Sequence, residues 1–128
     1  MRKIISSLLI ITILLLAKPG QAQQKVKWAE MENFHDIMGA TFHPAEEGKF
    51  EPIKSRSAEL AQKAIAWKNS TAPAGYDKKA VIKNLRKLVK GAKEINKMVQ
   101  KNAADTELKE DLTELHGVFH EITEKCEH

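Results

Sequence analysis

Apolar residues recur at helical spacing in four segments of the chain, separated by short stretches holding Pro, Gly, Asn and Ser. The first predicted helix runs from about Val26 to His43. Its stripe is Met31, Phe34, Met38 and Phe42, and Pro44 is expected to stop it, because a proline ring clashes with the carbonyl four residues earlier. The second begins near Pro52, a residue suited to a first turn, and continues through Leu60, Ala61, Ala64, Ile65 and Trp67 to about Asn69. Ser70 to Tyr76, with Pro73 and Gly75, reads as a loop. Asp77 can cap a third helix with the stripe Val81, Leu85, Leu88, Ala92, Ile95 and Val99. Asn102 to Ala104 makes a tight connection, and Asp105 is expected to cap a fourth helix with the stripe Leu108, Leu112, Leu115, Phe119, Ile122 and Cys126. No stretch reads as a strand. Four amphipathic helices with short connections predict an all-α, antiparallel up-down-up-down four-helix bundle, in which the first and fourth helices are neighbours.

The start of the chain follows another pattern. Met1-Arg2-Lys3 is basic, Ile4 to Ala17 is almost unbroken apolar sequence, and Gly20-Gln21-Ala22 offers small residues to a signal peptidase. Residues 1–22 therefore read as a secretory signal peptide and 23–128 as one domain, expected in the periplasm or outside the cell. The apolar run is shorter than the roughly 20 residues that span a bilayer, so no stable membrane span is expected after cleavage.

Removing the signal changes the charge. The whole chain carries +4. Arg2, Lys3 and Lys18 leave with the signal, so 18 basic residues face 17 acidic ones in the remaining 106. A near-neutral exported domain excludes nucleic acid as a serious partner. The charges are segregated: nine Lys or Arg between Lys78 and Lys101 against Glu94 alone, then eight acids from Asp105 to Glu127 against Lys109 and Lys125. Complementary solvated faces account for this pattern, and a basic stripe that docks an acidic redox partner or a membrane surface is the sharper alternative. Cys126 is the single cysteine, so no intrachain disulfide can form. A half-buried apolar role is expected for it, with a disulfide-linked homodimer or metal ligation left open.

The five histidines lie at the two ends of the domain, none of them in the 72 residues between His43 and His116. His116 and His120, four apart, stand one turn apart on one side of the fourth helix and can chelate a transition metal. With Met31 as zero and 100° per residue, His35 falls at about +40° and Glu32 at about +100° on the first helix. With Leu108 as zero, His116 and His120 fall at about +80° and +120° on the fourth. Same-signed edges of antiparallel neighbours face each other. Pairing the helix ends puts His35 level with positions 114 to 117 and Glu32 level with 117 to 120. Glu32, His35, His116 and His120 are thus expected to form one site, suited to zinc above all and also to copper, nickel or cobalt. His43, two turns farther along beside Pro44, and the terminal His128 are expected to stand apart.

The signal peptide, the Met- and Phe-bearing first helix, the segment Ala58-Glu59-Leu60-Ala61-Gln62-Lys63-Ala64 and a histidine two turns from the end of the fourth helix resemble class II cytochrome c, the cytochrome c-prime family, and its soluble b-type relative. The c-type members attach haem through Cys-x-x-Cys-His. Aligning that histidine with His120 puts His116 and Phe119 at the cysteine positions, so covalent haem is not expected. By resemblance to the b-type relative, Met31 and His120 would hold a noncovalent haem b.

The expected function is therefore a transition-metal-binding bundle, its partners being the ion and a metal-transfer or redox protein. A haem b electron carrier and a cofactor-free partner-binding bundle are the alternatives. An enzyme is not expected, since the seam offers neither a nucleophile with its base nor the several glutamates of a di-iron site.

Overall fold

The computed structural model describes residues 27–126, so the predicted signal peptide and His128 lie outside the described residues. It is all-helical: α1 (Ala29–Glu46), α2 (Glu51–Asn69), α3 (Lys78–Gln100) and α4 (Asp105–His120), the last continuing into a π-helical turn, Glu121–Lys125. No β-strand occurs among the described residues. Each helix packs against the next in chain order, and α4 returns to pack against α1. No helix among the described residues is long and apolar enough to cross a membrane.

Helical periodicity produced the core. All six stripe residues of α4 and the turn that follows are buried, as are Val81, Leu85, Leu88, Ala92 and Ile95 of α3. Each fully buried Leu, Ile, Val, Phe or Met contributes about 1.5–3 kcal/mol relative to an exposed one, and with no disulfide the fold rests on this burial. On α1 the buried face is wider than the four-residue stripe. Ile37, Thr41 and Ala45 join Phe34, Met38 and Phe42, whereas Met31 is only partly buried. A helix in contact with two neighbours buries a face broader than a narrow seam. Thr41 enters this core by donating its hydroxyl to the Ile37 and Met38 carbonyls at 2.8 and 3.1 Å.

Two helix ends differ from expectation. Pro44 lies inside α1, in its last turn, and the helix runs on to Glu46. Near a helix end one lost backbone bond is tolerable, and the chain turns instead at Gly48, whose φ is +81° and whose N–H reaches the Ala45 carbonyl at 3.0 Å. A Cβ at Gly48 would meet nothing within 4 Å, so only the backbone conformation penalises a side chain there. Gly48→Ala is expected to lower stability by about 1–2 kcal/mol in a denaturant titration without altering the folded structure. Asp105 is the first residue of α4 rather than its cap. Its carboxylate takes Lys54 of α2 at 2.8 Å, while Asp77 caps α3 as expected, accepting from the Lys79 and Ala80 N–H groups at 3.1 and 3.2 Å.

The tryptophans pack near one end of the bundle. Trp28 lies edge-on to Trp67 at 5.7 Å and to Tyr76 at 5.2 Å, and its indole N–H donates to Ser70 at 2.8 Å. Trp67 reaches farther in, against Phe34 and Phe119 at 5.5 and 5.8 Å. Cys126 is buried, with the Asn84 side-chain amide 3.5 Å from its sulfur. Its thiol is shielded from solvent in this fold.

Candidate metal site at the seam of the first and fourth helices

Aromatic rings line the contact between α1 and α4. His35 stacks on Phe119 with ring centres 5.0 Å apart and planes 15° from parallel, and His116 stacks on Phe42 at 4.2 Å and 16°. His120 stands edge-on to His116 at 4.4 Å, with the two Nε2 atoms 3.2 Å apart. Glu124, one turn on, lies 3.1 Å from His120 Nδ1.

The chemistry of the pair follows from Glu124. A carboxylate beside Nδ1 accepts a hydrogen bond from Nδ1–H; in that neutral tautomer His120 Nε2 is a bare lone pair and the 3.2 Å contact is His116 Nε2–H donating to it. Two imidazoles sharing one tetrahedral ion at about 2.0–2.1 Å have their ligating nitrogens about 3.3–3.4 Å apart. The pair is already at chelating distance. An ion bound between the two rings would take the place of the shared proton, with His116 in its Nδ1–H tautomer.

Of the predicted set, His116 and His120 come together, His35 lies beside them across Phe119, and Glu32 does not join them. Glu32 is exposed in the first turn of α1, where its charge favours the helix N-terminus. The cause is register. The heights assumed that side chains stand level with their own Cα atoms, but helical side chains lean toward the N-terminus of their helix. Phe34 packs on Phe119 and Phe42 stacks on His116, so His116 lies opposite positions 42 and 43 rather than 33 to 36, and the lean supplies part of this offset. His43, expected to stand apart, has its ring 6.4 Å from that of His116 and draped back over Gly39. Its Nδ1 is 3.3 Å from Glu46, which is helical only because α1 continues past Pro44. Among the described residues no group of three or more His, Cys, Asp or Glu side chains is gathered closely enough to hold a metal ion.

Burial pushes the His116 pKa down, with further depression from His120 and His43 and a weaker one from His35, against the opposing pull of Glu46. A depressed histidine makes the folded state bind fewer protons than the unfolded one. Its contribution to stability is complete above the ordinary value of about 6.5 and is lost as pH falls below it. The thermal midpoint is expected to fall on acidification from pH 7.5 to 5. His116→Phe, which keeps a ring against Phe42, is expected to fall less over the same window; parallel curves would contradict the assignment to His116.

Residues present do not fit a haem in this packing. Phe34, Phe119 and Trp67 lie within 5.5–5.9 Å of one another across the helices that would flank the macrocycle. Met31 Sδ faces the Tyr76 hydroxyl at 3.9 Å, while His120 has both nitrogens engaged by Glu124 and His116. Elsewhere, the basic face of α3 and the acidic face of α4 share a groove lined by Lys87, Lys90, Glu94, Asp111 and Glu114, yet no ion pair among the described residues joins the two helices. Burial and then the neighbouring Glu114, Glu94, Glu110 and Glu107 raise the Asp111 pKa.

Against known proteins, no family model, no curated protein and no solved structure matches the chain.

Proposed function

We propose that this is an exported, antiparallel up-down-up-down four-helix bundle that binds one divalent transition-metal ion on the seam of α1 and α4, anchored by His116 and His120. The directions of the helices are supported by end-to-start contacts: the Asp77 N–H at the head of α3 donates to the Cys126 carbonyl beyond α4, and Trp28 at the head of α1 meets Trp67 at the tail of α2. The observation that carries the metal reading is the pair of Nε2 atoms 3.2 Å apart, with His116 oriented by its stack on Phe42 and the His120 tautomer set by Glu124. A carboxylate behind a ligating imidazole fixes ring orientation and raises ligand basicity. Imidazole ligands suit zinc and copper, then nickel and cobalt. The site is half-exposed at the helix surface, which suits an ion that is buffered or passed to a partner rather than one locked in to hold the fold.

The test is an absorption spectrum and elemental analysis of the purified protein lacking residues 1–22. Stoichiometric zinc or copper without a Soret band is expected. A Soret band would establish the haem alternative, and a protein that binds neither haem nor metal would leave a partner-binding bundle.

A further inference from the structure

The outward face of α3 carries one sign of charge along its length. With the buried Leu88 as zero and 100° per residue, Lys79, Lys83, Arg86, Lys90, Lys93 and Lys97 all fall within about 40° of the opposite pole. Successive members are three or four residues apart, which makes a straight row about 27 Å long. All six are exposed, and none takes part in an ion pair among the described residues. Glu94, the single acid of α3, lies off the row on the side of the groove shared with α4. The row works against the helix that holds it. Neighbours three or four residues apart repel when they share a sign. Beyond the Asp77 cap, Lys78 and Lys79 also stand in a first turn that has no acid, where the helix dipole disfavours cations. Local stability does not account for the row, and an anionic partner does.

Beside the N-terminal half of the row the surface turns apolar. Ile82 is the one large apolar side chain exposed among the described residues, at 48%, and lies about 60° from the row on the side of α2. It borders a groove floored by Trp28, Val81 and Leu85, with Lys68 of α2 and Lys78 at the rim. We propose that this face docks the bundle peripherally on an anionic phospholipid bilayer, the row lying along the phosphate plane and Ile82 reaching the apolar layer beneath it. The docking is independent of the ion. Five of the six cations are lysines, point charges on flexible stems that respond to negative potential rather than to a fixed pair of oxygens, which matches a fluid headgroup layer better than a folded acidic protein. The groove points the same way, since a bilayer supplies acyl chains directly beneath its phosphates.

The experiment is co-sedimentation of residues 23–128, which include the whole described bundle, with vesicles of mixed phosphatidylglycerol and phosphatidylcholine and with vesicles of phosphatidylcholine alone. Binding to the anionic vesicles only, weakening as salt rises, is expected. Lys83→Gln/Lys90→Gln removes two cations from the row and is expected to weaken binding roughly 25-fold, since each cation near an anionic surface is worth about fivefold. Its thermal midpoint is expected to stay or rise, because like-charge repulsion is relieved, so that lost binding is not lost folding. Lys83→Arg/Lys90→Arg is expected to bind as the parent does. Ile82→Ser is expected to weaken vesicle binding severalfold with the salt dependence unchanged. No binding to anionic vesicles, equal binding to neutral ones, or parent-like binding by the glutamine variant would overturn the proposal. Parent-like vesicle binding by Ile82→Ser, together with tighter binding of the parent to poly-glutamate than to vesicles, would assign the row to an acidic protein and overturn the bilayer.

Discussion

His116→Ala/His120→Ala is expected to lose metal affinity by more than about 100-fold, since even outer partners of a metal site are worth 10–100-fold. The reason lies in how the pair is built. Each imidazole is oriented before the ion arrives, His116 by its stack on Phe42 and His120 by Glu124, so little side-chain entropy remains to be lost on binding. Removing both rings removes the two imidazoles whose Nε2 atoms already stand 3.2 Å apart. The thermal consequence is measurable. An ion present at a hundredfold excess over its Kd stabilises the folded chain by about 2.7 kcal/mol, which for a domain of this size raises the midpoint by roughly 10–20 °C. Zinc is expected to raise the midpoint of the parent protein by that amount and to leave the double variant where it was. The double variant itself should fold, because His116 and His120 are only half-buried.

Phe119→Ala is expected to cost about 3–5 kcal/mol, the range for emptying a buried aromatic position. Phe119 is 5% exposed, and its ring touches Phe34 and Trp67 on the core side and His35, His116 and His120 on the seam side. The cavity would open directly beneath the histidines. Metal affinity should therefore fall together with stability, although Phe119 donates nothing to an ion. Phe119→Leu, which retains most of the volume, should recover stability while restoring little of the orientation that His35 takes from the flat ring. Equilibrium unfolding and zinc titration of the two variants separate these effects, and an alanine variant that loses less than 1 kcal/mol would contradict the packing described here.

Periodicity carried the sequence a long way. The α4 stripe was legible residue by residue and most of the α3 stripe with it, because apolar residues recur among charged neighbours at 3.6-residue spacing; Val89 is buried outside the α3 stripe and Val99 within it is only partly buried, while Asp77 announced the start of α3 with a side chain that does cap it. Pro44 misled, because a proline one turn from a helix end costs little and Gly48 supplies the left-handed turn that ends α1. Asp105 misled for a related reason: the carboxylate that could have capped α4 is bonded to Lys54 on a different helix, which no local pattern shows.

Part of the histidine cluster was legible as well. The i, i+4 spacing of His116 and His120 and the edge position of His35 follow from helix geometry alone. Height did not follow: His116 meets Phe42, about two turns beyond the level that pairing the helix ends gives, and the N-terminal lean of side chains accounts for only part of that offset. With that offset the His43 ring stands 6.4 Å from that of His116, and the continuation of α1 through Pro44 places Glu46 3.3 Å from His43 Nδ1. Sequence could have pointed to both through the repeated pattern of a histidine followed within one turn by a glutamate: His43 with Glu46, His120 with Glu124.

The most direct measurement of the central claim is an isothermal titration of zinc into residues 23–128 at pH 7.5, alongside the His116→Ala/His120→Ala variant. One saturable site per chain in the parent and none in the variant is the predicted result. A parent protein with no saturable site, or a variant that binds zinc as tightly as the parent, would contradict it.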